Sequence, residues 1–156
     1  MGARDDVIGF DAFVDRVESR LQQALGAAYG PKDGHEAAVD ALSWAWEHWD
    51  QAATLEHPVA YLFRVGQSAR RRLVGRPLPF SVPEDVQDRP DLSPELLPAL
   101  RGLPEQQRVV VLLVHAYQWR QQEVADLLGV GPSTVQAHLV RGLAHLRRRL
   151  DVCDAH

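Results

Sequence analysis

Residues 121–150 read QQEVADLLGVGPSTVQAHLVRGLAHLRRRL and contain two helical patterns joined by a short turn. Gly129 and Gly131 allow a tight turn, because glycine adopts positive φ without a steric penalty. Pro132 suits the first turn of the helix that follows. The apolar residues of both patterns recur at the three- and four-residue spacing of helices with one buried face, which predicts a helix-turn-helix. The residues expected to face inward are Val124, Ala125, Leu127, Leu128, Val135, Leu139, Leu143 and Leu146.

The outward face of the second helix distinguishes a DNA-reading element from a hairpin packed only for stability. At about 100° per residue, this face carries small or hydroxylated side chains at its start and arginines further along. A hairpin built only for stability would favour outward Glu and Lys pairs. Small residues let the first turn approach base edges while arginines contact phosphates, so the pattern favours DNA binding. The outward residues are Ser133, Thr134, Ala137, Val140, Arg141, Ala144 and Arg148.

Charge is unevenly distributed along the chain. The net charge of −4 by itself argues against a nucleic-acid partner. Residues 1–63 hold 4 basic and 11 acidic residues, whereas residues 64–76 hold 5 basic and no acidic ones. Residues 77–100 hold 1 basic and 5 acidic residues, and residues 101–150 hold 7 basic and 3 acidic ones. Two basic segments can therefore each meet a polyanion while the acidic first segment meets a different partner.

The sequence carries no sign of export or of catalysis. No apolar run approaches the roughly 20 residues that a bilayer crossing needs, and the first ten residues lack a signal-peptide pattern. The single cysteine, Cys153, excludes an internal disulfide, so a cytoplasmic location without membrane insertion is expected. The seven histidines lack a metal-binding spacing, and no phosphate loop or nucleophile motif is present. We therefore expect no catalytic residue, no metal and no cofactor.

Helical patterns fill most of the chain and predict an all-α fold of two small domains. Residues 1–76 form the first domain, with helices expected at residues 8–27, at residues 36–49 and from Pro58 through the basic segment.

Residues 77–93 are proline-rich and mostly acidic, which predicts an extended linker. The second domain, residues 94–150, has further helices expected at residues 94–101 and 104–117, and residues 151–156 form a tail. Each domain alone would be only marginally stable because it is small. We therefore expect docking between the domains or onto a partner.

The second predicted helix has an acidic outer side. At about 100° per residue, Trp44 falls on the same side as Glu36 and Asp40, away from the apolar face. An exposed tryptophan among acids often marks an interface, so these three residues are candidates for binding a protein partner. Trp46 and Trp49 fall on the apolar face and are expected in the core.

Arg70, Arg71 and Arg72 lie at the centre of the first basic segment. Because residues 64–76 contain no acid, these arginines have no pairing partner within their own helix. We expect them to bind nucleic acid, with each phosphate contact steepening the salt dependence of log K by about 0.7 to 0.9.

A series of short motifs in residues 97–150 points to a known family. The motifs are Leu103-Pro104, Arg108, Glu123-Val124-Ala125, Leu128-Gly129, Thr134-Val135 and Arg141-Gly142. With them, about a third of the chain resembles region 4 of the extracytoplasmic-function sigma factors of bacterial RNA polymerase. The resemblance implies that this domain reads the minus-thirty-five promoter element. It assigns this role to Ser133, Thr134, Gln136, Ala137 and Arg141.

The first domain is similar to region 2 of the same family. Residues 35–49, HEAAVDALSWAWEHW, align with its acidic helix that binds core RNA polymerase, and residues 59–72, VAYLFRVGQSARRR, with its helix that reads and melts the minus-ten element. The resemblance implies core RNA polymerase and promoter DNA as partners. An anti-sigma factor is the usual regulator in this family.

Three positions depart from the region 2 pattern. Val39 stands where the family has a glutamine, Ser68 where it has an asparagine, and Arg72 where it has an aspartate. A serine offers one hydroxyl, whereas an asparagine amide can donate and accept at once. These departures favour an alternative function, a sigma-like regulator or decoy that keeps the fold, binds a protein partner and does not initiate transcription. A dimeric DNA-binding repressor or activator is a further alternative.

Overall fold

A computed structural model describes residues 3–74 and 95–154 of the chain. The helices of residues 3–74 are α1 (Ala3–Tyr29), α2 (Pro31–Glu47), α3 (Trp49–Ala52) and α4 (Pro58–Val74). No strand occurs in either described range, and the predicted all-α fold is confirmed. Within the same ranges, no helix combines the length and the apolar character that a bilayer crossing requires.

The second half ends in the predicted helix pair. Its helices are α5 (Leu96–Arg101), α6 (Glu105–Val111) with its π-helical continuation (Leu112–Ala116), α7 (Gln121–Leu128) and α8 (Pro132–Asp154). Residues 109–114, a β-branched and apolar run, are helical as the sequence predicts. α7 begins at Gln121 and ends just before Gly129, and α8 begins at Pro132, as the two helical patterns and the turn between them predict.

The break between α1 and α2 is shorter than the sequence suggests. Gly30 alone separates the two helices, with a φ of 89°, and its N–H donates to the carbonyl of Gly26 at 2.8 Å. Pro31 is the first residue of α2. Proline suits this position because an N–H in the first turn of a helix has no acceptor within the helix, so its absence costs no hydrogen bond. The predicted linker, residues 77–93, lies outside the described residues.

α1 and α2 pack together through small residues. A Cβ atom built on Gly34 would lie 2.7 Å from the Cα atom of Gly26, so the two backbones are in direct contact. The buried stripe of α2 therefore consists of residues with little or no side chain. These residues are Gly34, Ala37, Ala38, Ala41 and Ala45.

The predicted placement of two α2 tryptophans is wrong. Trp46 is 44% exposed instead of buried. Trp44 is half-buried instead of exposed, with its ring stacked on His48 at 4.7 Å and tilted against Tyr61 of α4 at 5.1 Å. The sequence pattern centred the apolar face on large side chains such as Leu42, whereas the close crossing of α1 and α2 centres it on the alanines.

Buried side chains of both halves form one continuous cluster. α1 contacts α2 and α4 within the first half, and it also contacts α6 of the second half. α4 contacts α7, the first helix of the helix-turn-helix. Docking between the halves is therefore observed, and it fixes the position of α4 relative to the helix pair. The largest fully buried side chains are Leu21, Leu25, Leu62, Phe63, Val109, Val110, Leu113, Val124 and Val135.

Candidate nucleic-acid interface

The turn between α7 and α8 has the geometry of a tight helix-turn-helix. Gly129 ends α7 in the left-handed conformation, with a φ of 68°, which a side chain would disfavour. The N–H of Val130 donates to the carbonyl of Ala125 at 3.1 Å. On the other side of the turn, the N–H groups of Thr134 and Val135 donate to the carbonyl of Gly131. The turn therefore holds the start of α8 at a fixed position above α7.

α8 buries one face and presents the opposite one to solvent. Val135, Leu139 and Leu146 are buried, and Leu143 is half-buried, as predicted. Of the outward candidates in the first turns, Ser133 and Thr134 are exposed to solvent and Ala137 is half-buried. Val140 stands among them as a large apolar side chain that is 54% exposed. The exposed candidates on α8 are Ser133, Thr134, Gln136, Arg141 and Arg148.

Arg70 is not available to nucleic acid in this structure, which corrects the expectation for the basic segment. The residue is 8% exposed. Its Nη2 atom lies 2.9 Å from Asp33 Oδ1, and its Nη1 atom lies 3.9 Å from Glu36 Oε2. The absence of acids within α4 is thus offset by two acids of α2. Arg70 holds α4 against α2 instead of facing solvent.

Arg71 and Arg72 are exposed on α4, as is Ser68. The Nε atom of Arg72 donates to the carbonyl of Ser68 at 3.4 Å. Arg71 and Ser68 also line a cleft of about 320 Å³ between α4 and the second half, together with Arg64 and Gln67. The opposite wall of the cleft is formed by Glu105, Gln106, Val109, Leu127 and Leu128. One face of α4 is therefore turned towards the second half.

The outer side of α2 combines acidic and apolar groups. Glu36 is exposed and Asp40 is half-buried. Val39 is 46% exposed and Trp46 44% exposed, and both occur among the large apolar residues with high exposure. Trp44 lies further round, in the contact with α4. The candidate protein-binding surface thus presents Trp46 more openly than Trp44.

Arg108 of α6 connects the two halves. Its side chain is buried and donates from Nη2 to the carbonyl of Ala28 at 2.7 Å and from Nε to the carbonyl of Ala27 at 3.3 Å. It also donates to the carbonyl of Leu103 in its own half at 3.2 Å. The last carbonyls of a helix have no partner within the helix and carry the negative end of its dipole. Arg108 therefore caps the carboxyl end of α1, whose last turn has no basic residue of its own.

A second set of contacts lies along the same face of α1. Arg20 forms an ion pair with Glu123 of α7, and its guanidinium lies 4.7 Å from the centre of the Trp119 ring. The Nε1 atom of Trp119 donates to Gln23 Oε1 at 2.8 Å. Trp119 is buried in this contact. Together these groups join α1 to the entry of the helix-turn-helix.

The carboxyl groups of Glu105 and Glu123, both in the second half, have pKa values shifted in opposite directions. Burial raises the pKa of Glu105, and the nearby guanidinium groups of Arg108 and Arg71 oppose this shift. The N–H of Arg120 donates to Glu123 Oε1 at 3.0 Å and holds the pKa of that carboxyl below its usual value, with a further contribution from Arg20. Protonation of Glu105 therefore increases the stability of the folded state, whereas protonation of Glu123 decreases it.

Residues 94–146 match the family model for region 4 of sigma-70. The RNA polymerase sigma-E factor of Streptomyces antibioticus is 31% identical over 162 residues, which cover 97% of this chain and 90% of the relative. The protein of the same name from Streptomyces coelicolor is 30% identical, over 96% of this chain and 90% of the relative.

Two solved structures share the fold. The sigma factor RpoE in complex with the anti-sigma factor NepR from Bartonella quintana has a TM-score of 0.64 at 18% identity, covering 92% of this chain and 97% of that one. CnrH in complex with the cytosolic domain of CnrY has a TM-score of 0.60 at 25% identity, covering 92% of this chain and 88% of that one.

A helix-turn-helix with an open outer face, docked on a second helical half, is typical of a DNA-binding protein. The two Streptomyces relatives identify the family, because their sequence similarity extends over nearly the whole chain. The chain belongs to the sigma-70 family of bacterial RNA polymerase sigma factors, in its extracytoplasmic-function group. The family resemblance read from the sequence is confirmed.

The polar contacts between the halves are not evident from the sequence. Arg108 stands out in the sequence only as part of a family motif, and Arg20 and Gln23 belong to no motif. One signal was available for Arg108, because a cation within the apolar run of residues 108–114 must find acceptors when its helix is buried. The sequence does not show that these acceptors lie about eighty residues earlier.

Proposed function

We propose that this protein directs core RNA polymerase to specific promoters and thereby starts transcription. The observation that carries the proposal is the exposed outer face of α8, in a chain that belongs to the sigma-70 family. The partners of this function are core RNA polymerase and promoter DNA, with an anti-sigma factor as regulator. The polymerase performs the chemistry, and the cytoplasm is the compartment in which the protein acts.

α8 reads the upstream promoter element in the major groove. Ser133, Thr134, Gln136 and Ala137 lie in the first two turns, where side chains reach base edges. Arg141 and Arg148 follow on the same face, where cations contact phosphates. Phosphate contacts fix the register of the helix, and the residues of the first turns supply the sequence preference.

α4 and α2 engage the other partners. Arg71 and Arg72 attract the backbone of the downstream element, while Arg70 supports them by holding α4 on α2. Glu36 and Asp40 of α2 form an acidic surface for a basic element of the polymerase, and Trp46 supplies the exposed aromatic group, whereas Trp44 is half-buried at the contact with α4. The proposed domains are residues 1–76 and 94–150, with residues 77–93 as linker and residues 151–156 as tail.

Run-off transcription with purified core polymerase over a library of promoter fragments tests this function. The expected result is a discrete start site that requires the protein. Asp40→Arg and Arg141→Ala should each remove the transcript, the first through polymerase binding and the second through promoter binding. Their matched controls are Glu18→Arg on α1 and Arg147→Ala on α8, which change exposed residues outside the proposed surfaces. The transcript should persist with both controls.

The sigma-like regulator or decoy is the second candidate function. It is favoured by Val39, Ser68 and Arg72, and by the position of Ser68 in a cleft facing the second half. This function predicts that the protein binds core polymerase or another protein without producing any transcript. A protein that instead gives a palindromic footprint without polymerase would be a dimeric DNA-binding regulator.

A further inference from the structure

The outer face of α8 carries an apolar strip at its centre. Val140 is 54% exposed, and Ala137 and Ala144 lie three residues before it and four residues after it, on the same side of the helix. At about 100° per residue, this strip lies opposite the buried Val135. The surface assigned to DNA therefore presents an aliphatic side chain between its hydroxyl-bearing first turn and the arginines that contact phosphates.

Neither packing nor helix propensity accounts for a valine at position 140. Its side chain belongs neither to the buried cluster nor to the half-buried residues packed against that cluster. Among the described residues of the second half, no other large apolar side chain is exposed to this degree. Valine also has a lower helix propensity than alanine, which occupies the neighbouring positions of the strip. A single exposed aliphatic residue is common on protein surfaces, but this one lies at the centre of the face proposed to meet DNA.

The major groove of DNA offers one apolar feature to such a side chain. Adenine, guanine and cytosine present hydrogen-bond donors and acceptors there, whereas thymine also presents a methyl group at C5. A valine pressed against a donor or acceptor would exclude water without replacing its hydrogen bond, which is unfavourable. A valine against the methyl group removes apolar surface of both partners from water. Burial of one methyl group corresponds to about a fourfold change in Kd.

We propose, on the basis of the DNA-binding function proposed above, that Val140 is a specificity-determining residue that recognises the methyl group of one thymine in the upstream element. Gln136 lies four residues earlier and about 40° away around the helix, so both side chains enter the groove from one side. Four residues span about 6 Å along the helix axis, and base pairs are spaced by about 3.4 Å. The thymine therefore lies within about two base pairs of the position that Gln136 meets.

Removal of single methyl groups from the DNA tests this assignment. Holoenzyme assembled from core polymerase and the full-length chain first selects upstream sequences from a randomised promoter library. Each thymine of the selected element is then replaced by deoxyuridine, which lacks only the C5 methyl group, and Kd is measured for the wild type and for Val140→Ala. One replacement should weaken binding by the wild type about fourfold and binding by Val140→Ala less than about 1.5-fold.

Three controls separate recognition of the methyl group from a general loss of binding. Arg147→Ala, an exposed change on the same helix, should keep the full effect of deoxyuridine. With 5-methylcytosine in place of cytosine at the sensitive position, the wild type should bind more tightly and Val140→Ala should bind equally. Urea unfolding of Val140→Ala should show no loss of stability, because an exposed valine is replaced by a better helix former.

The outcomes distinguish this role of Val140 from the proposed function. A selected element without thymine, or deoxyuridine effects that are equal in the wild type and in Val140→Ala, would overturn recognition of the methyl group and leave the proposed function intact. An equal loss of affinity for every sequence in Val140→Ala would overturn it as well. If the holoenzyme selects no upstream sequence, the proposed function fails, and the role of Val140 fails with it.

Discussion

α4 and α8 are both arginine-bearing helices, yet they present their charge in different ways. On α8, Arg141 and Arg148 are exposed on the face opposite the buried leucines. On α4, Arg70 is buried between two acids of α2, and Arg71 borders a cleft that faces the other half. Consecutive arginines in the sequence therefore do not all lie on the surface of the folded protein. The difference arises because α8 packs on one side only, whereas α4 is contacted by α1, α2 and α7.

The largest expected effect is a difference in stability between variants of Arg70, which is paired with α2, and of Arg72, which is exposed on the same helix. Arg70→Ala removes the cation from a largely buried ion pair and leaves Asp33 uncompensated, so the free energy of unfolding should fall by about 2–3 kcal/mol. Arg72→Ala changes an exposed residue of the same helix and should cost less than about 0.5 kcal/mol. Urea unfolding of the two variants measures this contrast. Equal losses would mean that Arg70 has no structural role beyond that of Arg72.

A second effect concerns the open helix. Arg141→Ala should lower the affinity for the upstream promoter element about tenfold and reduce the salt slope of log K by about 0.9, because one phosphate contact is lost. The free energy of unfolding should change by less than about 0.5 kcal/mol. Fluorescence anisotropy with a duplex fragment at several salt concentrations measures affinity and slope together. Arg147→Ala should leave both near the wild-type values, and an equal loss in that variant would remove the distinction between the faces of α8.

A third effect concerns the arginine at the cleft. Arg71→Ala should reduce the salt slope for single-stranded promoter DNA by about 0.7 when the protein is bound to core polymerase. Folded Arg70→Gln should not change this slope, since Arg70 is engaged with Asp33 and Glu36. Binding of a labelled single strand across a salt series gives the two slopes. A lower slope in the Arg70 variant would show that this residue leaves its ion pair when DNA binds.

The smallest expected effect concerns pH and uses the two shifted carboxyl groups. The folded-state pKa of Glu105 is raised above the ordinary 4.5, so its favourable contribution is complete below pH 4.5 and is lost as the pH rises through the folded-state pKa. Glu105→Gln should therefore stabilise the protein at neutral pH.

The folded-state pKa of Glu123 lies below 4.5, so this residue stabilises the fold above that pH and the contribution is lost as the pH falls through the folded-state pKa. Glu123→Gln should therefore destabilise the protein at neutral pH. Urea unfolding at pH 7 and near pH 4 compares both variants with the wild type. Shifts of the same sign in the two variants at pH 7 would contradict this assignment.

Local patterns predicted the second half of the chain well. The spacing of Val124, Leu127, Val135 and Leu139 indicates two helices with facing apolar sides, and Gly129 marks the turn because only glycine takes its φ of 68° without strain. The first half was predicted less well. The sequence predicts α1, α2 and α4 but not the short helix α3, and the burial of Trp44 and Trp46 is the reverse of the prediction because the closest approach between α1 and α2 involves glycine backbones.

The sequence by itself determined the helical fold, the helix-turn-helix and the family, because these depend on spacings within a few turns of a helix. Only the tertiary structure decided which arginines are available and how the halves meet. The partners of Arg70 lie in α2, and the acceptors of Arg108 lie at the end of α1. Helical periodicity states which side of a helix is apolar. It does not state which distant carboxylate or carbonyl will stand opposite a buried cation, since that depends on how the helices cross.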